Sequence, residues 1–192
     1  TPPPKAPTVD IPMSDPSEYE IPRISRDAGK AIFERTGIGD PYRTGVPYPI
    51  FLALLAGFPE LFGEDLESLA GKFGLIPRPP DPTSKDPDLR AGLPVGMHLT
   101  VDPITGVPFV VTSCALCHAE KLRWQGGEAL VHGLGNKRVQ AHAYDRAYAE
   151  VTRRPGFTAA KLTRLASEAA ATHGIPWPDE YRAAFVAASI RE

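Results

Sequence analysis

The stretch Cys114-Ala115-Leu116-Cys117-His118 decides which fold and function this sequence predicts. On a helical turn the positions i, i+3 and i+4 project from one face, so both thiols and the imidazole are expected to converge on one side. This spacing is typical of covalent c-type haem attachment, in which the thiols bond the porphyrin vinyl groups and the histidine reaches the iron. The motif uses the only two cysteines of the chain.

Three other uses of the motif explain its residues less well than haem attachment does. A redox-active cysteine pair does not require the adjacent His118, and a tetrahedral zinc site needs two more ligands at short spacing. A structural disulfide does not explain the histidine either. We therefore expect one covalent haem c, held by Cys114 and Cys117, with His118 as an axial ligand of the iron.

Length and composition predict a single domain with extensions, and the haem motif predicts that it is exported. The chain has 192 residues, 42% of them hydrophobic, and no apolar run reaches membrane-spanning length. Thioether-linked haem is attached outside the cytoplasm, so we expect a periplasmic or exported protein. The sequence begins at Thr1 without a signal peptide, which suggests a processed form. A lipid anchor upstream of residue 1 stays open as a membrane tether.

The pattern of apolar residues, caps and turns predicts a mainly α, cytochrome c-like helical haem domain with short β-hairpins and a Pro-rich N-terminal arm. The arm covers 1–25, the haem domain 26–154, and a C-terminal helical extension packed on it 155–192. Helices are expected at about 26–36, 49–56, 64–73, 113–120, 136–154, 158–172 and 179–190. Hairpins are expected at 97–111 and around 124–131.

Charge is spread unevenly along the chain. The net charge is −2, yet residues 121–164 carry nine basic and three acidic side chains. This stretch could offset the haem propionates or steer an acidic redox partner, and an ordinary solvated helix face explains it equally well. The overall balance is acidic and no basic-aromatic interleaving occurs, so nucleic acid is excluded as a partner.

The second axial ligand of the iron has several candidates. No methionine follows Met97, so the usual downstream methionine of small cytochromes c is missing. The order of preference is His142, surrounded by small side chains on a predicted helix, then His132 and then Met97. An open iron position is the remaining alternative.

Several stretches resemble one family when they are taken in order. They are Gly45-Val46-Pro47-Tyr48-Pro49-Ile50, Leu93-Pro94-Val95-Gly96-Met97, Thr112-Ser113 with the Cys114–His118 motif, Trp124-Gln125-Gly126-Gly127 and Gly133-Leu134-Gly135-Asn136. From about 28 to 151 the chain resembles the haem-containing front half of the rubber-oxygenase-like branch of di-haem cytochrome c peroxidases.

This resemblance implies a helical cytochrome core in which the helix after the glycine-rich stretch covers the distal haem face, and it favours His142 over His132. Position 97 is typically aromatic in that branch, which argues against Met97. A second Cys-x-x-Cys-His, which those enzymes carry, does not occur in this sequence. Because of that departure, we expect the protein to transfer electrons rather than to catalyse a reaction.

The leading hypothesis is therefore a monohaem c-type cytochrome that carries electrons through a six-coordinate, bis-histidine haem ligated by His118 and His142. Its partners would be redox proteins, among them a membrane-bound respiratory or photosynthetic complex. The first alternative is a haem peroxidase or oxygenase with an open distal site, where His142 or His132 acts as an acid-base group. The second is a cytochrome subunit of a larger redox complex.

Overall fold

The computed structural model describes residues 25–39, 44–179 and 182, and its architecture is mixed α/β. Of the described residues, 46% are in helices and 17% in strands, and the strands form two antiparallel sheets. The prediction of a mainly α, cytochrome c-like domain is therefore wrong. The Pro-rich arm at 1–25 and the helix expected at 179–190 lie outside the described residues, apart from Ser25, Asp179 and Arg182.

The elements follow in chain order. The helices are α1 (Arg26–Arg35), α2 (Tyr48–Gly57), α3 (Pro59–Phe62), α4 (Leu66–Phe73), α5 (Pro87–Ala91), α6 (Ala115–His118), α7 (Ala141–Val151) and α8 (Ala159–His173). The strands are β1 (Val46–Pro47), β2 (Met97–Val101), β3 (Pro108–Thr112), β4 (Ala119–Trp124) and β5 (Gly127–His132).

The larger sheet has the strand order β1-β3-β2 and leads directly into the motif. Its hairpin pairs Leu99 with Val110, which confirms the hairpin predicted at 97–111. On the other edge of β3, Val46 of β1 pairs with the same Val110. Strand β3 ends at Thr112, only two residues before Cys114, so the sheet fixes where the motif begins.

The second sheet confirms the hairpin predicted around 124–131 and extends it back to residue 119. The motif helix was expected to continue to residue 120, but α6 ends at His118, and Ala119 is already extended with φ −126° and ψ 141°. Strands β4 and β5 form a regular hairpin across a two-residue turn, in which Gly126 has φ 103°. Glycine adopts this conformation without steric cost. The backbone N–H and C=O groups after His118 therefore form cross-strand hydrogen bonds instead of the bonds of a longer helix.

The main core lies between α2 and α8. Helix α2 is buried almost all round, as its uninterrupted apolar sequence predicts, and Phe51 has no exposed surface. Leu162 and Ala166 of α8 pack against it. The C-terminal extension predicted at 155–192 thus contributes, through α8, to the same core as the rest of the chain.

Helix α7 is shorter than predicted and lies against the core through Ala147 and Val151. It begins at Ala141 rather than near Asn136, which is buried in the preceding loop.

At the other end of the chain, Ser25 caps α1 as predicted, because its side chain accepts a hydrogen bond of 3.2 Å from the Ala28 N–H.

None of the helices described combines the length and the apolar content that a membrane span requires.

One prediction concerns the close approach of Gly96 to α6. Gly96 has φ 84°, and a Cβ added there would lie 2.0 Å from the Leu116 nitrogen. Gly133 has a similar φ of 86° but nothing within 4 Å of an added Cβ. We expect Gly133→Ala to lower the free energy of unfolding by ~1–2 kcal/mol, the cost of the left-handed backbone. Gly96→Ala should lower it by roughly 4 kcal/mol or more, because backbone must also move. Urea denaturation measures both, and equal losses would contradict the packing described.

Candidate functional site

The motif forms a single helical turn at the surface. The His118 N–H donates to the Cys114 carbonyl at 3.0 Å, which closes the turn and brings positions i, i+3 and i+4 to one side. Cys114 and His118 are exposed and Cys117 is half-buried. Both thiols are free. The three residues of the motif therefore lie on one helical turn.

All three motif side chains line one cleft with a volume of about 610 Å³. Its walls come from α6, β3, β1, α7 and the loop after α1. Besides the motif residues they are Ile38, Thr44, Val46, Val110, Thr112, Ser113, Leu116, Ala141, Tyr144, Asp145 and Tyr148. This volume lies within the range of about 300–1,000 Å³ that small-molecule and cofactor sites occupy.

The loop before α7 forms hydrogen bonds to the C-terminal end of the motif turn. The Gly133 N–H donates to the His118 carbonyl and the Asn136 N–H to the Cys117 carbonyl, each at 2.7 Å. Asn136 is buried, and its side-chain amide also donates to the Gly74 carbonyl at 3.0 Å. The carbonyls at the end of α6, which a short helix cannot satisfy itself, are thus paired.

Glu120 holds the same loop against β4. Its carboxylate accepts from the Lys137 N–H at 3.3 Å and from the Arg138 guanidinium at 3.2 Å. The hydrogen bond from Lys137, followed by that from Lys121 and the charge of Arg138, lowers the pKa of Glu120 below its usual value. Part of the positive charge that follows the motif is therefore neutralised by ion pairs within the chain, such as that between Arg138 and Glu120.

Helix α7 presents tyrosines, and not His142, to the cleft. The residues that line it are Ala141, Tyr144, Asp145 and Tyr148, spaced as one helical stripe. His142 lies off this stripe and is exposed. The structure therefore gives no support to His142 as the second axial ligand. The same helix was expected to face the cleft, but through its other side.

The two other ligand candidates also lie away from the cleft. The His132 Nε2 pairs with the Glu34 carboxylate, and the His132 ring packs edge-on against Phe33 at 5.9 Å. Met97 is fully buried in β2, opposite Thr112. Neither lines the cleft that contains His118. Of the described residues, His118 is thus the one histidine on its walls, and no methionine joins it.

Sequence reasoning missed the most distinctive polar feature of the cleft, a pair of hydrogen-bonded tyrosines. The Tyr144 and Tyr148 hydroxyls lie 2.8 Å apart, and their ring centroids 5.1 Å apart with an edge-on angle of 84°. Burial raises the pKa of Tyr144 to about 12 and that of Tyr148 well above 10. Both phenols therefore stay neutral at physiological pH. Their i, i+4 spacing was the available signal.

The residues of the cleft fit a covalently held haem. Two free thiols and an imidazole reach one cavity, and Val46, Val110 and Leu116 give it apolar walls. A zinc site fits less well. Among the described residues, no group of three or more His, Cys, Asp or Glu side chains could hold a metal ion, so two further zinc ligands are not at hand.

A larger groove of about 770 Å³ lies elsewhere, between α2, α8 and the segment 77–80. Its lining mixes apolar side chains such as Leu52 and Leu165 with charges of both signs, among them Arg78 and Glu168. None of the motif residues reaches it. The thiols and the imidazole direct the functional argument to the smaller cleft, because reactive groups and not volume define a site.

No family model, curated protein or solved structure matches this chain. The resemblance to the di-haem peroxidase family consequently stays a prediction from motifs.

The buried phenols predict a loss of stability at high pH. Unfolded tyrosines ionise near pH 10, whereas the pKa of Tyr144 is raised to about 12 in the fold. The unfolded chain therefore loses protons first, and the free energy of unfolding should fall as pH rises from about 10 to about 12, by up to about 3 kcal/mol for this group. Urea denaturation at several pH values measures the slope. The Tyr144→Phe/Tyr148→Phe double variant should be flatter, and an unchanged slope would contradict the burial of the pair.

Proposed function

We propose that this chain is a monohaem c-type cytochrome that transfers single electrons. The observation that carries the proposal is the meeting of Cys114, Cys117 and His118 in one cleft of suitable size. Cys114 and Cys117 would hold the haem through thioether bonds, and His118 would ligate the iron. The bound haem supplies one-electron iron chemistry.

The chain's own residues give the cleft its rigidity. The hydrogen bonds from Gly133 and Asn136 hold the C-terminal end of the motif turn, and strand β3 leads into its N-terminal end. Val110 and Leu116 belong to the main hydrophobic core, so the cleft wall and the core are one packed unit. A wall that cannot rearrange suits electron transfer, because little of the protein then reorganises when the charge changes.

An electron carrier also needs an accessible edge, and the rim of the cleft supplies one. Cys114 and His118 are exposed, and Ile38, another lining residue, is 54% exposed. Weak redox encounters use small interfaces of below about 1,200 Å². Redox proteins are the proposed partners, and the surplus of positive charge in 121–164 would favour an acidic one. Thioether attachment of haem would place the protein in the periplasm or outside the cell.

A second candidate function is a haem peroxidase or oxygenase with an open iron position. The observation that favours it is that α7 contributes the Tyr144–Tyr148 pair to the cleft and leaves His142 outside it. Polar hydroxyls beside a reactive cofactor can position an oxygen-containing ligand, whereas a second imidazole would block the iron. Steady turnover of hydrogen peroxide with an added reductant would favour this enzyme over the carrier.

Absorption spectra of the haem-loaded protein test the ligation. We expect ferrous protein to bind carbon monoxide, because no second histidine or methionine of the described residues lines the cleft. His142→Ala should leave the ferric and ferrous spectra unchanged, since this side chain is exposed and off the lining stripe. His118→Ala is the matched variant and should change both spectra.

The outcomes separate the two ligation schemes. Failure to bind carbon monoxide, together with a high-spin spectrum of His142→Ala, would restore the bis-histidine carrier and contradict the ligation proposed. One-electron midpoint titration of the same sample tests the carrier role. A reversible couple with rapid electron exchange supports it, and a ferric protein that cannot be reduced reversibly counts against it.

A further inference from the structure

The tyrosine pair on α7 is held in place from both sides. Tyr144 packs edge-on against Phe73 with a centroid distance of 5.2 Å, and Tyr148 packs edge-on against Phe62 at 5.1 Å. Phe62 has no exposed surface and Phe73 is 2% exposed, so both partners belong to the rigid core. The phenol rings therefore cannot turn away from the cleft without disturbing α3 and α4.

One of the two hydroxyl protons of the tyrosine pair has no acceptor within the pair. When Tyr144 and Tyr148 bond to each other at 2.8 Å, one phenol donates and the other accepts, which leaves the second proton over. Within the part of the chain that the structure describes, no further hydrogen bond of either hydroxyl is found. Both tyrosines are half-buried and line the cleft, so an acceptor for this proton can come from the cleft.

We propose that the Tyr144–Tyr148 pair is a hydrogen-bond donor site for a small, neutral, oxygen-containing ligand of the haem iron, of the dioxygen class, held in this cleft. The inference rests on the proposed haem attachment. The neutral state of both phenols at physiological pH makes them donors rather than anionic iron ligands.

The other polar groups of the cleft are consistent with a neutral ligand. Asp145 lies on the same stripe, and its carboxylate accepts hydrogen bonds but repels anions. The Thr44 hydroxyl donates to the Ile38 carbonyl at 3.1 Å, whereas the Ser113 hydroxyl, which accepts from the Ala115 N–H at 3.3 Å, keeps its proton but is 1% exposed. The spare phenol proton is thus a donor available on the α7 side of the cleft.

Vibrational spectroscopy of the ferrous carbon monoxide complex tests the site in the complete haem-loaded chain. A donor near the ligand oxygen strengthens back-donation from the iron and lowers the C–O stretching frequency. Tyr144→Phe/Tyr148→Phe keeps both rings and removes both hydroxyls, so we expect the frequency to rise. The dioxygen dissociation rate should rise by about threefold to tenfold, the effect of losing one hydrogen bond.

Tyr48→Phe is the matched control, because it removes a buried phenol that lies outside this cleft. It should leave the frequency and the rate unchanged. Equal C–O frequencies in the double variant and the unaltered protein would overturn the inference, as would a covalent haem that does not bind carbon monoxide. A chain without covalent haem would overturn the proposed function itself, and the two failures are distinguished by the presence of the haem spectrum.

Discussion

The arrangement of this molecule depends on how a four-residue helix, α6, is held at both ends. Its last carbonyls, of Cys117 and His118, accept hydrogen bonds of 2.7 Å from Asn136 and Gly133. Its start follows a strand of the larger sheet, and Gly96 lies against its backbone so closely that no Cβ fits between them. A turn this short has no stability of its own, so these long-range contacts set the directions of the thiols and the imidazole.

The same contacts connect the site to the core. The loop that fastens α6 continues into α7, and α7 is anchored in turn by Ala147 and Val151 in the main hydrophobic core. Val110 of β3 belongs both to the lining of the cleft and to that core. A cofactor bound in the cleft would therefore touch walls supported by the packed interior, and Tyr144 and Tyr148 would be among the polar groups beside it.

Local signals in the sequence predicted the local structure well. The cap at Ser25, the hairpin at 97–111 and the convergence of the motif side chains follow from short-range rules. The mixed α/β architecture was missed because the second hairpin, expected only around 124–131, begins directly after His118, where the motif helix was expected to continue to residue 120. The face of α7 was also beyond local reasoning: Phe62 and Phe73, distant in sequence, fix the tyrosines towards the cleft and leave the histidine of that helix exposed.

The central claim is that Cys114 and Cys117 hold one haem covalently, and the intact mass of the denatured protein tests it most directly. The chain should be exported in cells that contain a working cytochrome-maturation apparatus, then unfolded before the mass is measured. The account predicts the chain mass increased by one haem, and the bare chain mass for the Cys114→Ser/Cys117→Ser variant. A bare chain mass for the unaltered protein under these conditions would contradict it.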